Sequence, residues 1–371
     1  MKLFFVSNSS HSLWNFRGDL FRKLMQAGHE VCAVCPEGAE TPKLRAIGVA
    51  VFIVPMAPKK ATLLQNSLLV RDLWRLYRRE NPDIIFHYTI KPNIFGTVAA
   101  KLAAIPSISV ITGLGYAFLS DSIVARIART MYRFALHIPK QVWFLNQDDR
   151  ELFINKRICP PDVARILPGE GIDLDYFRPQ ASATPDMTVL MIARALWDKG
   201  TAEFVECAAL IHRQRPDVRF AILGPSGADS PGGIPDSQMQ RWASDGVIDW
   251  LSATDDVRPF IRDAVCVVLP SYREGIPRSL LEGSAMEKPL VATNVTGCKE
   301  IVVDGVTGFL CEARNPQSLA DAVQRVLALN DEARAKMGKA GREFVRQTYS
   351  NEKIFTKYDQ AIAEIGQSAP N

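Results

Sequence analysis

Short apolar runs at 3–6, 31–34, 51–54, 84–87, 108–112 and 142–145 alternate with segments of helical periodicity. A strand that is apolar at every position has no solvent face, so both faces must be covered, and the helices between consecutive strands supply the cover. The rhythm predicts stacked βαβ units around a parallel sheet. It restarts at Val189-Leu190-Met191-Ile192-Ala193 and continues through 220–223, 265–269 and 290–292, so a second α/β domain follows the first. Between them the stretch Leu167-Pro168-Gly169-Glu170-Gly171 to Pro179, with Ser182, Thr184 and Pro185, is rich in breakers and reads as a linker. The expected boundary lies near Arg178, giving domains at 1–178 and 179–348 and a last segment at 349–371. From Pro316 onward the chain reads as helices without a further strand. At 371 residues, two domains with full cores fit.

Charge excludes some functions. The 44 Lys and Arg nearly balance 40 Asp and Glu, too even for a nucleic-acid binder. The basic residues are nonetheless concentrated early: residues 1–145 hold 18 Lys and Arg against 8 Asp and Glu, a surplus that suits an anionic membrane surface or a diphosphate as well as a plain solvated face. Seven cysteines without a framework spacing fit a reducing compartment. Cys32 and Cys35 form a lone CxxC inside an apolar run, with no second pair to complete a zinc site. The apolar start, 1–6, is too short for a secretory core, and Pro106, Gly113 and Gly115 interrupt the uncharged stretch 102–120, so a cytoplasmic protein without a membrane span is expected.

The first strand is followed by Ser7-Asn8-Ser9-Ser10-His11, not by the spaced glycines of a dinucleotide site, and no P-loop occurs. Asp173-Leu174-Asp175 has the DxD form of metal-dependent sugar-nucleotide enzymes, but it lies in the linker and no metal is expected. The informative segment runs from Leu269 through Glu274-Gly275-Ile276-Pro277-Arg278 to Glu282. A buried strand ends at Leu269, Gly275 permits an unusual backbone, and Pro277 suits the first turn of a helix, which puts Glu274 on a loop and Glu282 on the helix. A helix start offers free N–H groups to an anion, and a carboxylate accepts two hydrogen bonds from neighbouring hydroxyls. One diphosphate flanked by two sugars satisfies the whole set. Arg194 and Lys199, directly after the first strand of the second domain and followed by Gly200, are placed to neutralise that diphosphate.

These motifs, together with Gly171-Ile172-Asp173, Phe177, Pro179, Gly297 to Glu300, Asp304-Gly305 and Gly308-Phe309-Leu310, resemble family 4 of the retaining glycosyltransferases over nearly the whole chain. The resemblance implies the GT-B fold, two Rossmann-like domains with a cleft between them and C-terminal helices returning toward the first domain. Val189 to Gly200, Lys91-Pro92-Asn93 and Gly113-Leu114-Gly115 look most like the PglA-type members, which add the second sugar to an undecaprenyl-diphosphate-linked sugar. By that resemblance Arg194 and Lys199 hold the donor diphosphate, Glu274 contacts the donor sugar and Glu282 the ribose, with Gly275, Ile276, Pro277 and Arg278 completing the donor site. Retention, a UDP-sugar donor and independence of metals or other cofactors are implied as well. N-acetylgalactosamine is the favoured sugar, ahead of galactose, N-acetylglucosamine and N-acetylfucosamine. Other GT-B activities, or a silent sugar-nucleotide-binding scaffold, are the competing readings; the scaffold would be expected to lack a donor-site charge, and all four are present.

Many family members carry a histidine in the loop that corresponds to Thr112-Gly113-Leu114-Gly115, and this chain has none there. His11, Asn15 and Arg17, on a loop expected to face the cleft, and His87, at the end of the fourth strand, are the acceptor-side candidates with Gly113 and Gly115. A structural hydrogen bond is the competing reading for each histidine. Two arginine stripes, Arg71 with Arg75 in 63–79 and Arg126, Arg129 and Arg133 in 123–138, lie on helical faces of the basic domain. Ile123, Ile127, Met131, Phe134 and Ile138 fill the face beside the second stripe. A solvated face is the plain reading, and peripheral association with the cytoplasmic face of the inner membrane the functional one.

Overall fold

The structure, a computed structural model, describes residues 1–56, 63–114, 123–181 and 187–367. The chain divides into two compact units, the first comprising Met1–Gly171 and Asn351–Asn371, the second Ile172–Ser350.

In the first unit β1 (Lys2–Val6), α1 (Ser10–Gln26), β2 (Glu30–Cys35), α2 (Thr41–Ala46), β3 (Ala50–Ile53), α3 (Leu63–Glu80) and β4 (Ile84–Tyr88) are followed by a π-helical turn (Pro92–Gly96). Then come α4 (Thr97–Ala103), β5 (Ser107–Ile111), α5 (Ile123–Ala135), β6 (Gln141–Phe144), α6 (Gln147–Asn155) and β7 (Ala164–Ile166). The strands form one parallel sheet in the order β3-β2-β1-β4-β5-β6-β7. β1, β4 and β5 are buried along nearly their whole length because helices cover both faces. The last helix, α13 (Asn351–Gln367), belongs to this unit: Tyr358 packs on Phe86 and Trp143, and Glu364 accepts a 2.7 Å bond from Gln141.

The second unit runs β8 (Thr188–Ile192), a 3-10 turn (Trp197–Lys199), α7 (Thr201–His212), β9 (Arg219–Leu223), α8 (Asp236–Ser244), β10 (Asp249–Leu251), α9 (Arg258–Asp263) and β11 (Ala264–Leu269). It continues with α10 (Arg278–Ala285), β12 (Leu290–Thr293), β13 (Gly308–Cys311), α11 (Pro316–Leu327) and α12 (Asp331–Tyr349). Its parallel sheet has the order β10-β9-β8-β11-β12-β13. Each unit is thus a Rossmann-like parallel sheet with its helices, as the strand rhythm requires.

The boundary falls at Gly171 and Ser350 and not at 178 and 348. Ile172 and Phe177 are packed into the core of the second unit, and the Arg342 guanidinium donates to the carbonyls of Leu174 and Phe177, both at 2.9 Å, so residues 172–178 go with the sheet they pack on. The cysteine pair is buried on β2, both thiols unbridged, with burial pushing Cys32 up to about 12 and Cys35 to about 11. Among the described residues no helix is long and apolar enough to cross a membrane.

Candidate functional site

In the second sheet the chain steps outward from β8 to β9 and β10, then returns to lay β11, β12 and β13 on the other side. The loops that leave the carboxyl ends of β8 and β11 therefore diverge, and a crevice opens between them. Arg194 and Lys199 follow β8, and Glu274 follows β11.

Glycines let these loops meet. Gly200 has φ 74°, and a Cβ there would lie 2.1 Å from the Pro270 carbonyl oxygen. Tyr272 N and Ser271 Oγ both donate to the Asp198 carbonyl, at 2.9 and 3.1 Å. On the other flank Gly297 has φ 91°, its missing Cβ leaves room for the Glu274 backbone, and Glu274 N donates to the Thr296 carbonyl at 2.9 Å. Glu274 is clamped between two turns, and Lys199 Nζ donates to its Oε1 at 2.5 Å. The side chains are 28% and 12% exposed, so the pair is shielded yet reachable.

Arg194 is exposed, its Nη1 donating to Ser230 Oγ at 3.3 Å. Ser230 sits on the segment after β9, which closes over the Arg194 loop because Gly224 and Gly227 lie against the carbonyls of Ala193 and Ala195. The Gly224-Pro225-Ser226-Gly227 run was the available signal for that contact. Pro277 is the N-cap residue of α10, one position earlier than expected, and no side chain caps the helix start. On α10, Glu282 is buried and accepts a 2.8 Å bond from Arg278 Nε one turn earlier. Burial raises the pKa of Glu282 above the ordinary 4.5, with Arg278 opposing the rise. Gly275 and Ile276 are half-buried in the connecting loop. Cations beside an uncapped helix start suit an anion, and the two carboxylates can accept hydrogen bonds from hydroxyls.

Sequence spacing did not reveal Tyr272. Its hydroxyl donates to Glu203 Oε1 at 2.5 Å and Arg314 stacks on its ring at 4.1 Å, which ties the Glu274 loop to α7. Burial, followed by Glu203, pushes the phenol up to about 12. The DxD sequence is a turn: Asp173 Oδ1 accepts from the backbone N–H of Asp175 and Tyr176 at 2.8 and 2.9 Å. Among the described residues no group of three or more His, Cys, Asp or Glu could hold a metal.

In the first unit the structure corrects three acceptor-side expectations. His11, Asn15 and Arg17 lie on α1 and not on a loop, because Ser9 caps that helix before them. His11 Nδ1 meets Glu40 Oε1 at 2.9 Å, and the Asn15 amide bonds the His11 ring. Arg17 is 1% exposed, paired with Glu170 Oε1 at 2.6 Å and stacked 3.7 Å from the Tyr88 ring centroid. His87 is fully buried between Tyr77 and Thr97 with Gly96 against its ring, and burial lowers its pKa to about 3. A neutral, enclosed imidazole and a buried guanidinium are structural groups. Gly113, two residues past the end of β5, has φ 153°, and Gly115 lies outside the described residues.

The arginine stripes are on the surface. Arg71 pairs with Asp72 at 2.9 Å, and Arg75 and Arg126 are exposed, Arg129 is half-buried, and Arg133 donates to the Lys156 carbonyl at 3.0 Å. Beside them, residues of the apolar face are exposed too, Ile127 at 55% and Phe134 at 74% on α5 and Leu64 at 69% on α3. A surface depression of about 380 Å³ is lined by Arg126, Ile127, Thr130 and Met131.

Residues 14–169 match the family described as Glycosyl transferase 4-like domain, and residues 174–344 match Glycosyl transferases group 1. An N,N'-diacetylbacillosaminyl-diphospho-undecaprenol alpha-1,3-N-acetylgalactosaminyltransferase of Campylobacter jejuni is 26% identical, over 98% of this chain and 100% of its own. A UDP-Gal:alpha-D-GlcNAc-diphosphoundecaprenol alpha-1,3-galactosyltransferase of Escherichia coli is 24% identical over 82% of each chain. Anabaena HepE, solved with UDP and glucose, superposes with a TM-score of 0.81 at 18% identity, covering 98% of this chain and 99% of that one. Sucrose-phosphate synthase of Thermosynechococcus elongatus gives 0.81 at 17% identity over the whole of both. With one family matched on each sheet unit and the fold shared end to end, the chain belongs to the group 1, family 4-like glycosyltransferases of the GT-B fold.

Proposed function

We propose that the protein moves a sugar from a UDP-sugar to a sugar already linked to undecaprenyl diphosphate, with retention of anomeric configuration and without a metal. The observation that carries this reading is the Lys199–Glu274 pair, 2.5 Å apart in the β8/β11 crevice with Arg194 on the same loop. Both similar relatives, from Campylobacter jejuni and Escherichia coli, are named for undecaprenol-diphosphate-linked substrates. Arg194 and Lys199 take the diphosphate, helped by the uncapped start of α10 after Gly275, Ile276 and Pro277, and Glu274 takes the donor sugar. The leaving phosphate accepts the acceptor proton on the same face of an oxocarbenium-like state, and the two cations stabilise the charge that develops on it. N-acetylgalactosamine is the favoured sugar. The arginines and exposed apolar side chains of α3 and α5 bring the enzyme to the cytoplasmic leaflet, where each nearby cation gains roughly 1 kcal/mol from anionic lipid.

One assay tests this: transfer from UDP-N-acetylgalactosamine, UDP-galactose and UDP-N-acetylglucosamine to an undecaprenyl-diphosphate-linked sugar in anionic vesicles with excess EDTA. Product should form from one donor, with its α linkage retained. The triple variant Arg126→Glu, Arg129→Glu, Arg133→Glu should lose vesicle co-sedimentation while still binding UDP. Full loss in EDTA, restored by manganese, would overturn metal independence.

Glu282 gives a second test, because a carboxylate that holds ribose hydroxyls must be ionised to accept both bonds. Its raised pKa means that in the free site the proton returns above the ordinary 4.5. UDP affinity is therefore expected to fall as pH drops through that point. Glu282→Gln should remove the pH dependence, and Glu282→Ala should weaken UDP about 10- to 100-fold, the worth of hydrogen bonds to a charged group. Calorimetry reads both. Equal UDP binding by Glu282→Ala and wild type would end the ribose assignment.

A further inference from the structure

The loops that carry Lys199 and Glu274 are joined by their main chains before the two side chains meet. Ser271 Oγ and Tyr272 N both donate to the Asp198 carbonyl, the Ser271 carbonyl accepts from Thr293 Oγ1, and Gly200 lets the Pro270 carbonyl come close. These contacts pin the exit of β11 as far as the Tyr272 nitrogen, and Glu274 is two residues further on.

The Tyr272 side chain is held at its tip and on its face. At the tip the hydroxyl donates to Glu203 Oε1 at 2.5 Å. Glu203 stands in the first turn of α7, where a helix start favours an ionised carboxylate, so the bond is charge-assisted and correspondingly short. Burial, followed by Glu203, pushes the phenol up to about 12, and it remains a donor throughout the neutral range. On the face, the Arg314 guanidinium lies 4.1 Å from the ring centroid, where the negative face of the ring attracts a cation. The ring is thereby fixed by the start of α7 and by the residue that follows the β13 exit.

Two features of this clamp work against stability. Glu203 Oε2 is buried with no hydrogen-bond partner, so the carboxylate makes the bond to Tyr272 and leaves its other oxygen unsatisfied. Arg314 has φ 60°, in the left-handed region that residues with a Cβ rarely enter. An apolar side chain at 203 and a glycine at 314 would each avoid a cost. Local costs of this kind concentrate where one loop geometry has to be held for binding or chemistry, and the loop held here is the one that bears Glu274.

We infer that Tyr272 is a positioning residue for sugar transfer: anchored on Glu203 and capped by Arg314, it sets the direction in which the β11 exit presents Glu274 to the donor sugar. This rests on the donor-sugar role proposed above for Glu274, through which Tyr272 acts.

The test separates the sugar from the nucleotide. Calorimetry with UDP, UDP-N-acetylgalactosamine, UDP-galactose and UDP-N-acetylglucosamine gives the extra affinity that a sugar adds to UDP, and steady-state kinetics gives kcat. Tyr272→Phe keeps the ring under Arg314 and removes only the hydroxyl. It is expected to leave UDP affinity unchanged, to abolish the extra affinity of the UDP-sugar, and to lower kcat about 10- to 100-fold, the scale of a displacement near 1 Å. Glu203→Leu should do the same, and the double variant should be no worse than either single one, because both remove the same bond. Glu203→Gln keeps an acceptor for the phenol and should restore most of kcat. If Tyr272→Phe, or Glu203→Leu should the first variant not fold, weakens UDP and UDP-sugar equally or leaves kcat at the wild-type value, the inference is overturned. Losses that add in the double variant overturn it as well. Glu274→Gln is the control for the reading beneath it: if that variant keeps the extra affinity of the UDP-sugar, the donor-sugar role of Glu274 has failed, and the inference falls with it.

Discussion

Replacing Lys199 with methionine is expected to lower kcat/KM for sugar transfer about 10²- to 10³-fold, the usual cost of removing one donor aimed at developing negative charge. The reason lies in its partner. Lys199 Nζ is 2.5 Å from Glu274 Oε1, and Glu274 is only 12% exposed. Methionine keeps most of the volume but leaves that carboxylate uncompensated in the crevice to which the proposed function assigns the diphosphate. The variant loses an attraction and gains a repulsion. Adding Glu274→Gln should therefore recover part of the UDP affinity lost in Lys199→Met, although turnover stays low because the sugar contact is gone. The two substitutions should depart from additivity by at least about 0.5 kcal/mol, as expected for residues in direct contact. Steady-state kinetics with UDP calorimetry reads the cycle. Wild-type turnover in Lys199→Met would remove the pair from the donor site.

The largest stability effect is expected at Arg17. It is 1% exposed, its Nη2 is 2.6 Å from Glu170 Oε1, its Nη1 donates to the Ser12 carbonyl at 2.8 Å, and its guanidinium lies 3.7 Å from the Tyr88 ring centroid. Tyr88 in turn bonds Tyr358 of α13 at 3.0 Å. One side chain thus joins α1, β4, α13 and the last residues before Gly171. Arg17→Met strands the Glu170 carboxylate, itself 11% exposed, and breaking a buried pair from one side costs about 3–5 kcal/mol. For a unit of this size that is a fall of roughly 10 °C in its unfolding midpoint. Arg17→Met with Glu170→Gln should regain part of the loss, because no charge is left unpaired. Acceptor KM, measured below the transition, should not change. A specific rise in KM with an unaltered midpoint would restore Arg17 to the acceptor side.

The candidate site was legible because its parts are local. Arg194 and Lys199 are five residues apart behind a buried strand, Glu274 and Glu282 bracket one strand-to-helix turn, and glycine and proline punctuate both segments, so spacing alone assigns each residue to a loop or a helix. The strand rhythm was legible for the same reason, since a strand buried on both faces must be apolar throughout. The short edge strands β7, β10 and β13, three or four residues each, are too brief to show that rhythm and were missed. The first unit misled at Arg17 and His87. An arginine or histidine near a strand end reads the same whether it faces solvent or a partner far along the chain. Only the fold brings Glu170, 153 residues away, onto Arg17, and closes Tyr77, Gly96 and Thr97 around His87. Pattern in sequence determined which elements form and which residues meet in the β8/β11 crevice. Which polar side chains are enclosed was decided by tertiary packing, because burial and pairing are properties of neighbours that spacing along the chain does not record.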